Sequence, residues 1–197
     1  MPTSAAPAPY TAATTSAGSV GASGVQTAPL PRCGTLRRFT DARGDFTELW
    51  RQEWLPEAPP FVQANLSRSL AGALRGMHVH LRQDDFQVVL SGVYHVNLVD
   101  LRPGMHLARH SLRLEAHQWL HVPAGVAHGL QALEDSLMVY LVSATYDGSD
   151  EHGLAWDDPS LALPWPGGPP RLSARDAGAP RLADLRLPGL WPPPAAQ

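Results

Sequence analysis

Gly72-Ala73-Leu74-Arg75-Gly76-Met77-His78-Val79-His80-Leu81-Arg82-Gln83-Asp84-Asp85-Phe86-Gln87-Val88-Val89-Leu90-Ser91-Gly92 runs from one glycine to another. Its second half, Phe86 to Leu90, is a short run of aromatic and β-branched residues that Ser91-Gly92 breaks. Runs of the same kind follow at Val93 to Val99, Ser111 to Leu114, Trp119 to Val122 and Leu137 to Val142. Arg102-Pro103-Gly104 and Pro123-Ala124-Gly125 punctuate them. Turn signals every ~8–12 residues predict an all-β sandwich or barrel. The clearest helical signature is a short one near Ser173 to Ala177, with Ser173 as cap and Asp176 three residues on.

The chain has 197 residues, 44% apolar and 17% charged, with a formal net charge of −3. One domain with tails is expected, large enough to bury a core. The near-balanced charge argues against binding nucleic acid or an acidic membrane by bulk electrostatics. All 15 basic residues are arginine, which excludes a Schiff-base or catalytic lysine. The single cysteine, Cys33, excludes an internal disulfide and a cysteine-rich metal site. No apolar run approaches the ~18–20 residues that span a bilayer. Residues 1–30 carry no charged side chain and few large apolar ones, so they read as a disordered leader without the marks of a secretory signal. Residues 31–187 read as the folded domain and residues 188–197 as a Pro-rich tail, in a protein of the cytoplasm.

His78 and His80 are two residues apart, which on a strand puts both rings on one face. Asp85 follows, and the turn Pro123-Ala124-Gly125-Val126-Ala127 later delivers His128 into a new strand. Together, Gly72-x5-His78-x-His80-x4-Asp85-x6-Gly92 and this turn resemble the two-part signature of the cupin superfamily. The resemblance implies a jelly-roll β-barrel with a few short helices. In metal-binding cupins it would place one divalent ion on His78, His80, Asp85 and His128, a donor set suited to Zn, Fe, Mn or Ni. Aspartate stands where the cupin pattern has glutamate, and Ala132 where it has asparagine, so the first expectation is a site without metal or other cofactor. His95, His106, His110, His117, His121 and His152 read as structural or solvent-facing, and His80 as support for its neighbour.

A longer resemblance narrows this. From Arg38 to Leu182 the chain resembles the dTDP-4-dehydrorhamnose 3,5-epimerases. Asp41-Ala42-Arg43-Gly44-Asp45-Phe46-Thr47-Glu48 is similar to that family's D-x-R-G-x-F-x-E opening, and Phe61-Val62-Gln63-Ala64-Asn65-Leu66-Ser67-Arg68-Ser69 to its F-x-Q-x-N-x-S-x-S strand. Leu74-Arg75-Gly76-Met77-His78 resembles L-R-G-L-H, Val99-Asp100-Leu101-Arg102 resembles V-D-x-R, and Val122 to Gly129 resembles I-P-x-G-F-A-H-G. The strand Val139 to Ser143 with Tyr146, then Glu151 to Pro159, Trp165-Pro166 and Leu172-Ser173-Ala174-Arg175-Asp176 complete the register.

The resemblance implies inversion of C3 and/or C5 in a nucleotide-linked 4-keto-6-deoxyhexose, by proton abstraction beside the ketone. His78 would be the base, Asp176 would orient it, and Tyr140 would return a proton from the opposite face. Arg43, Arg75 and Arg175 would meet the diphosphate. Glu48, Gln63, Asn65, His128 and Glu151 would hold the sugar and nucleoside. A homodimer exchanging N-terminal strands is also implied. The different-class alternative is a metal-dependent or sugar-nucleotide-binding cupin without epimerase activity.

One position departs in sign. The family carries a lysine shortly after its base, and here Gln83-Asp84-Asp85 puts a carboxylate there. An anion about 4 Å from an enolate would cost on the order of a few kcal/mol. Three resolutions stay open: Asp85 points away and Arg82 or another arginine substitutes; the chain is a divergent relative with a different sugar, a single epimerised carbon or no epimerisation; or Asp85 joins His78, His80 and His128 around a metal.

Overall fold

A computed structural model describes residues 31–146 and 148–192 of the chain. The leader reading at 1–30 and the last five residues of the tail lie outside these residues. The N-terminal strands are β1 (Arg32–Thr35), β2 (Arg38–Asp41) and β3 (Gly44–Thr47). Then come β4 (Gln63–Ser69), β5 (Leu74–Val79), β6 (Asp85–Ser91), β7 (Val93–Asp100), β8 (Arg109–Glu115) and β9 (Gln118–Val122). β10 (Val126–Ala132), β11 (Ser136–Val142), β12 (His152–Gly153) and a single-turn α1 (Ala174–Ala177) complete the order, with a 3-10 turn at Gln52–Trp54. The runs read as strands lie inside β6 to β11 within one or two residues. β1, β2 and β3 carried no strand reading, because arginine, aspartate and glycine hide their alternation.

Two antiparallel five-stranded sheets face each other in a jelly roll. One has the order β1-β9-β6-β11-β4 and the other β12-β5-β10-β7-β8, while β2 and β3 form a separate hairpin. Between the sheets, Val89, Leu120 and Met138 of the first meet Val96, Leu98, Leu130 and Tyr94 of the second. The outer faces are covered too. Residues before β4 (Leu36, Trp54, Leu55) pack on Phe86, Val88 and Trp119 of the first sheet. The C-terminal stretch (Leu154, Leu161, Leu182, Leu185, Leu187) packs on Met77, Val79 and Val99 of the second. This covering explains why β6 and β10 are buried almost end to end rather than at alternate residues. Leu190 and Trp191, past the boundary read at 187, also pack on that layer.

Strand periodicity fixes where neighbouring acids point. Asp84 turns outward from the barrel interior to His121, 2.9 Å away, and accepts from the Ala124 amide at 2.9 Å. Asp85, the next residue, lines the interior cavity with Gln87. His121 is thus structural, as read. Gly76 has φ +113°, and a Cβ there would lie 2.5 Å from the His128 carbonyl oxygen. Only glycine lets β5 approach β10 this closely, at the bulge between His128 and Leu130.

Candidate active site

One end of the barrel is packed with apolar side chains; the other opens as a cavity of about 640 Å³. The second sheet supplies His78 from β5 and His128 from β10, which sit opposite each other in register. The first sheet supplies Gln63 and Asn65 from β4, Asp85 and Gln87 from β6, and Met138, Tyr140 and Val142 from β11. Each set alternates along its strand, as side chains sharing one face must. Tyr140 pairs with Asn65 on one side and Gln87 on the other. β12 pairs with β5 and brings Glu151 to the rim.

His78 is held from both ends. Its Nε2 lies 2.8 Å from Asp176 Oδ1 and 2.7 Å from Arg175 Nη2, and its Nδ1 is 3.8 Å from Glu151 Oε1. With the Nε2 proton donated to Asp176, Nδ1 keeps the lone pair, and the Arg175 guanidinium, which can only donate, lies against Nε2 without a hydrogen bond to it. Asp176 is delivered by α1, whose cap is Ser173: the hydroxyl accepts from the Asp176 amide at 3.1 Å. Burial pushes the Asp176 carboxyl up, but hydrogen bonding and charge from His78, with help from Ser173 and the Gly76 backbone, hold it below the usual carboxylate range. Arg175 pairs with Glu151 at 2.6 Å. Burial likewise raises Glu151, and the Arg175 guanidinium brings it below its ordinary value. Such an arrangement can take a proton from carbon and stabilise the resulting imidazolium.

Tyr140 faces this group from the other sheet. Burial, then the negative charges of Asp85 and Glu151, push its phenol above its ordinary value, so it stays protonated at neutral pH. Arg75 lines the cavity and donates to Ser69 Oγ at 3.0 Å and to the Arg68 carbonyl at 2.9 Å.

A second cluster lies beside the first. Nitrogen or oxygen atoms of His80, Asp85 and His128 lie within 4.8 Å of one another. His128 Nε2 is 3.4 Å from Asp85 Oδ2, and Gln83 donates to Asp85 Oδ1 at 2.8 Å. Burial raises the Asp85 carboxyl, yet His128, His80 and Gln83 bring it below its usual value. Burial lowers His128, and the contact with Asp85 more than reverses this. His80 is lowered by burial and by the neighbouring His128.

Of the residues expected at the site, His78, His80, Asp85, His128, Tyr140 and Asp176 all line the cavity, as do Gln63, Asn65, Arg75, Glu151 and Arg175. Arg43 and Glu48 do not. Arg43 sits on the turn of the β2–β3 hairpin against Asp41, with its side chain 90% exposed, and Glu48 pairs with Arg51. Two expectations need correction. Asp85 does not point away with Arg82 in its place: Asp85 is buried in the cavity, and Arg82 is directed outward toward Asp150 at 3.9 Å. His78 does not join the other three possible metal ligands, because Asp176 and Arg175 engage its ring. Sequence reading also missed Asp150. Its carbonyl accepts from His80 Nδ1 at 2.8 Å, and its carboxylate accepts from the Leu81 and Arg82 amides at 2.9 and 3.0 Å. No local signal links residues 70 positions apart.

The family model for dTDP-4-dehydrorhamnose 3,5-epimerase matches residues 32–184. The chain belongs to the dTDP-4-dehydrorhamnose 3,5-epimerase family. It is 38% identical over 168 residues to the enzyme of that name from Streptomyces griseus, covering 79% of this chain and 84% of the relative. Among solved structures, the dTDP-6-deoxy-D-glucose-3,5-epimerase of Legionella pneumophila, in complex with dTDP-4-keto-L-rhamnose, is 30% identical with TM-score 0.73, covering 79% of this chain and 89% of that one. A 3'-monoepimerase from Streptomyces bikiniensis, in complex with dTDP-quinovose, is 30% identical with TM-score 0.72, covering 78% and 84%. The family consists of isomerases, and its jelly-roll fold is the one seen here. Among the described residues, no helix is long and apolar enough to cross a membrane.

Proposed function

We infer that the chain epimerises C3 and/or C5 of a nucleotide-linked 4-keto-6-deoxyhexose, of the dTDP-4-dehydro-6-deoxyglucose type. The observation that carries this reading is the placement of His78, backed by Asp176 at 2.8 Å, on one sheet and Tyr140 on the facing sheet of one cavity. His78 Nδ1 takes the proton on the carbon beside the ketone. The C–H electron pair becomes the enolate double bond, and charge moves to the C4 oxygen. Tyr140 donates its phenolic proton to the opposite face of that carbon as the carbonyl re-forms. Solvent then reprotonates the tyrosinate and takes the proton from the imidazolium, so no proton is lost overall. These proton transfers need no organic cofactor. The oxygen that gathers charge does need an electropositive partner.

Arg75 and Arg175 suit the diphosphate, and Gln63, Asn65, His128 and Glu151 the sugar and nucleoside. Arg43 and Glu48 fit a role in a homodimer, where the β2–β3 hairpin of one subunit would serve the cavity of the other. Residues 31–187, with Leu190 and Trp191 packed on them, constitute the epimerase domain, acting in the cytoplasm in deoxysugar supply for glycan synthesis.

Incubation with dTDP-4-keto-6-deoxyglucose in deuterated water is expected to label C3, C5 or both, and His78→Ala to abolish the label. Wild-type protein that binds the nucleotide sugar yet incorporates no deuterium would instead favour a binding cupin.

A further inference from the structure

We propose that His80, Asp85 and His128 form a binding site for one divalent transition-metal ion, with His78 excluded from it. Both imidazoles have Nδ1 turned to a backbone carbonyl. His80 donates its Nδ1 proton to the Asp150 carbonyl at 2.8 Å, and His128 Nδ1 faces the Val126 carbonyl at 3.4 Å. His80 therefore turns an unprotonated Nε2 to the common point, the tautomer a metal needs, whereas His128 Nε2 faces Asp85 Oδ2 at 3.4 Å and would give up its proton there as an ion takes its place. Gln83 holds the far oxygen of Asp85 at 2.8 Å and leaves Oδ2 for the ion. Asp85 and His128 are both buried and both line the cavity. The donor atoms lie within 4.8 Å of one another. Ligands about 2.1 Å from a shared ion stand about 3.0–3.5 Å apart, so side-chain shifts of roughly 1 Å close the site. Two imidazoles and one carboxylate leave positions open on the ion for water or a substrate oxygen.

Charge favours the ion over a simple ion pair as the partner of a developing enolate. Asp85 and a protonated His128 together carry no net charge. A divalent ion on Asp85 and two neutral imidazoles leaves one positive charge beside the cavity that His78 and Tyr140 share, where it can polarise a ketone. This role rests on the epimerase reading; the binding does not.

The test is titration of chelator-stripped protein with Co²⁺, followed by visible absorption and calorimetry, with deuterium incorporation measured on stripped and reloaded samples. One ion per chain is expected. Affinity should fall about 10–100-fold or more in Asp85→Asn and in His80→Gln, and stay unchanged in His78→Ala, with circular dichroism checking each fold. Deuterium incorporation should drop at least about tenfold on stripping and return on reloading. Absence of saturable one-to-one binding, or its loss in His78→Ala, overturns the site. Binding with incorporation unaffected by stripping overturns the role. Binding without incorporation in any sample supports the site while sinking the epimerase reading.

Discussion

Tyr140 and His78 stand on opposite sheets, and in the proposed reaction they divide two proton transfers, so substituting one should separate events that wild type couples. In Tyr140→Phe the imidazole still removes a proton and returns a deuteron to the same face. Deuterium should enter the sugar with retained configuration, while the inverted product falls by about 10²–10⁴-fold. NMR of the recovered sugar reads both quantities; equal loss of the two would argue that Tyr140 only packs. The pairing of His78 with Asp176 was legible only through resemblance. Their spacing of 98 residues carries no local signal, whereas the two-residue step from His78 to His80 does. What that step could not reveal is that the two rings serve different partners, Asp176 and the Asp150 carbonyl.

The strand runs and the Ser173 cap were readable because they depend on neighbours in sequence. α1 is only one turn, and its value is to place Asp176 beneath His78. The segment around it is pinned by Asp158, whose carboxylate accepts from the Leu182 amide at 2.7 Å, the Ser160 amide at 2.9 Å and the Ser160 hydroxyl at 2.6 Å. Burial raises this carboxyl, and those hydrogen bonds bring it below its ordinary value. Its stabilising contribution is therefore complete above the unfolded carboxylate value of about 3.9 and disappears as pH falls through the lower folded value. Asp158→Asn should be less stable at neutral pH by about 1–3 kcal/mol. Thermal melts between acid and neutral pH should show the gap to wild type narrowing below about pH 3.9; a gap independent of pH would mean that the charge is irrelevant.

Exposed apolar groups on the surface of the chain follow a pattern. Phe39 and Phe46 on the β2–β3 hairpin are 41% and 63% exposed, and Leu66 on the edge strand β4 is 66% exposed. Large apolar side chains left in solvent around a sheet edge favour association. Light scattering should give twice the subunit mass, and Phe46→Asp should shift it toward one. If Arg43 and Glu48 complete the neighbouring cavity, deuterium incorporation falls in the same variant; full activity as a monomer would show that one chain suffices.

The strands, their breaks, the helix cap and the inward face shared by His78 and His80 follow from the amino-acid order, because each depends on alternation and turn chemistry within a few residues. The charge reversal at Asp85 was equally visible there. Tertiary structure alone decided how that reversal is accommodated. Pairing of β6 with β11 and of β5 with β10 brings Asp85 between His80 and His128, while α1 draws His78 away to Asp176. Sheet register and a returning C-terminal segment set those distances, and both are properties of residues far apart in the chain.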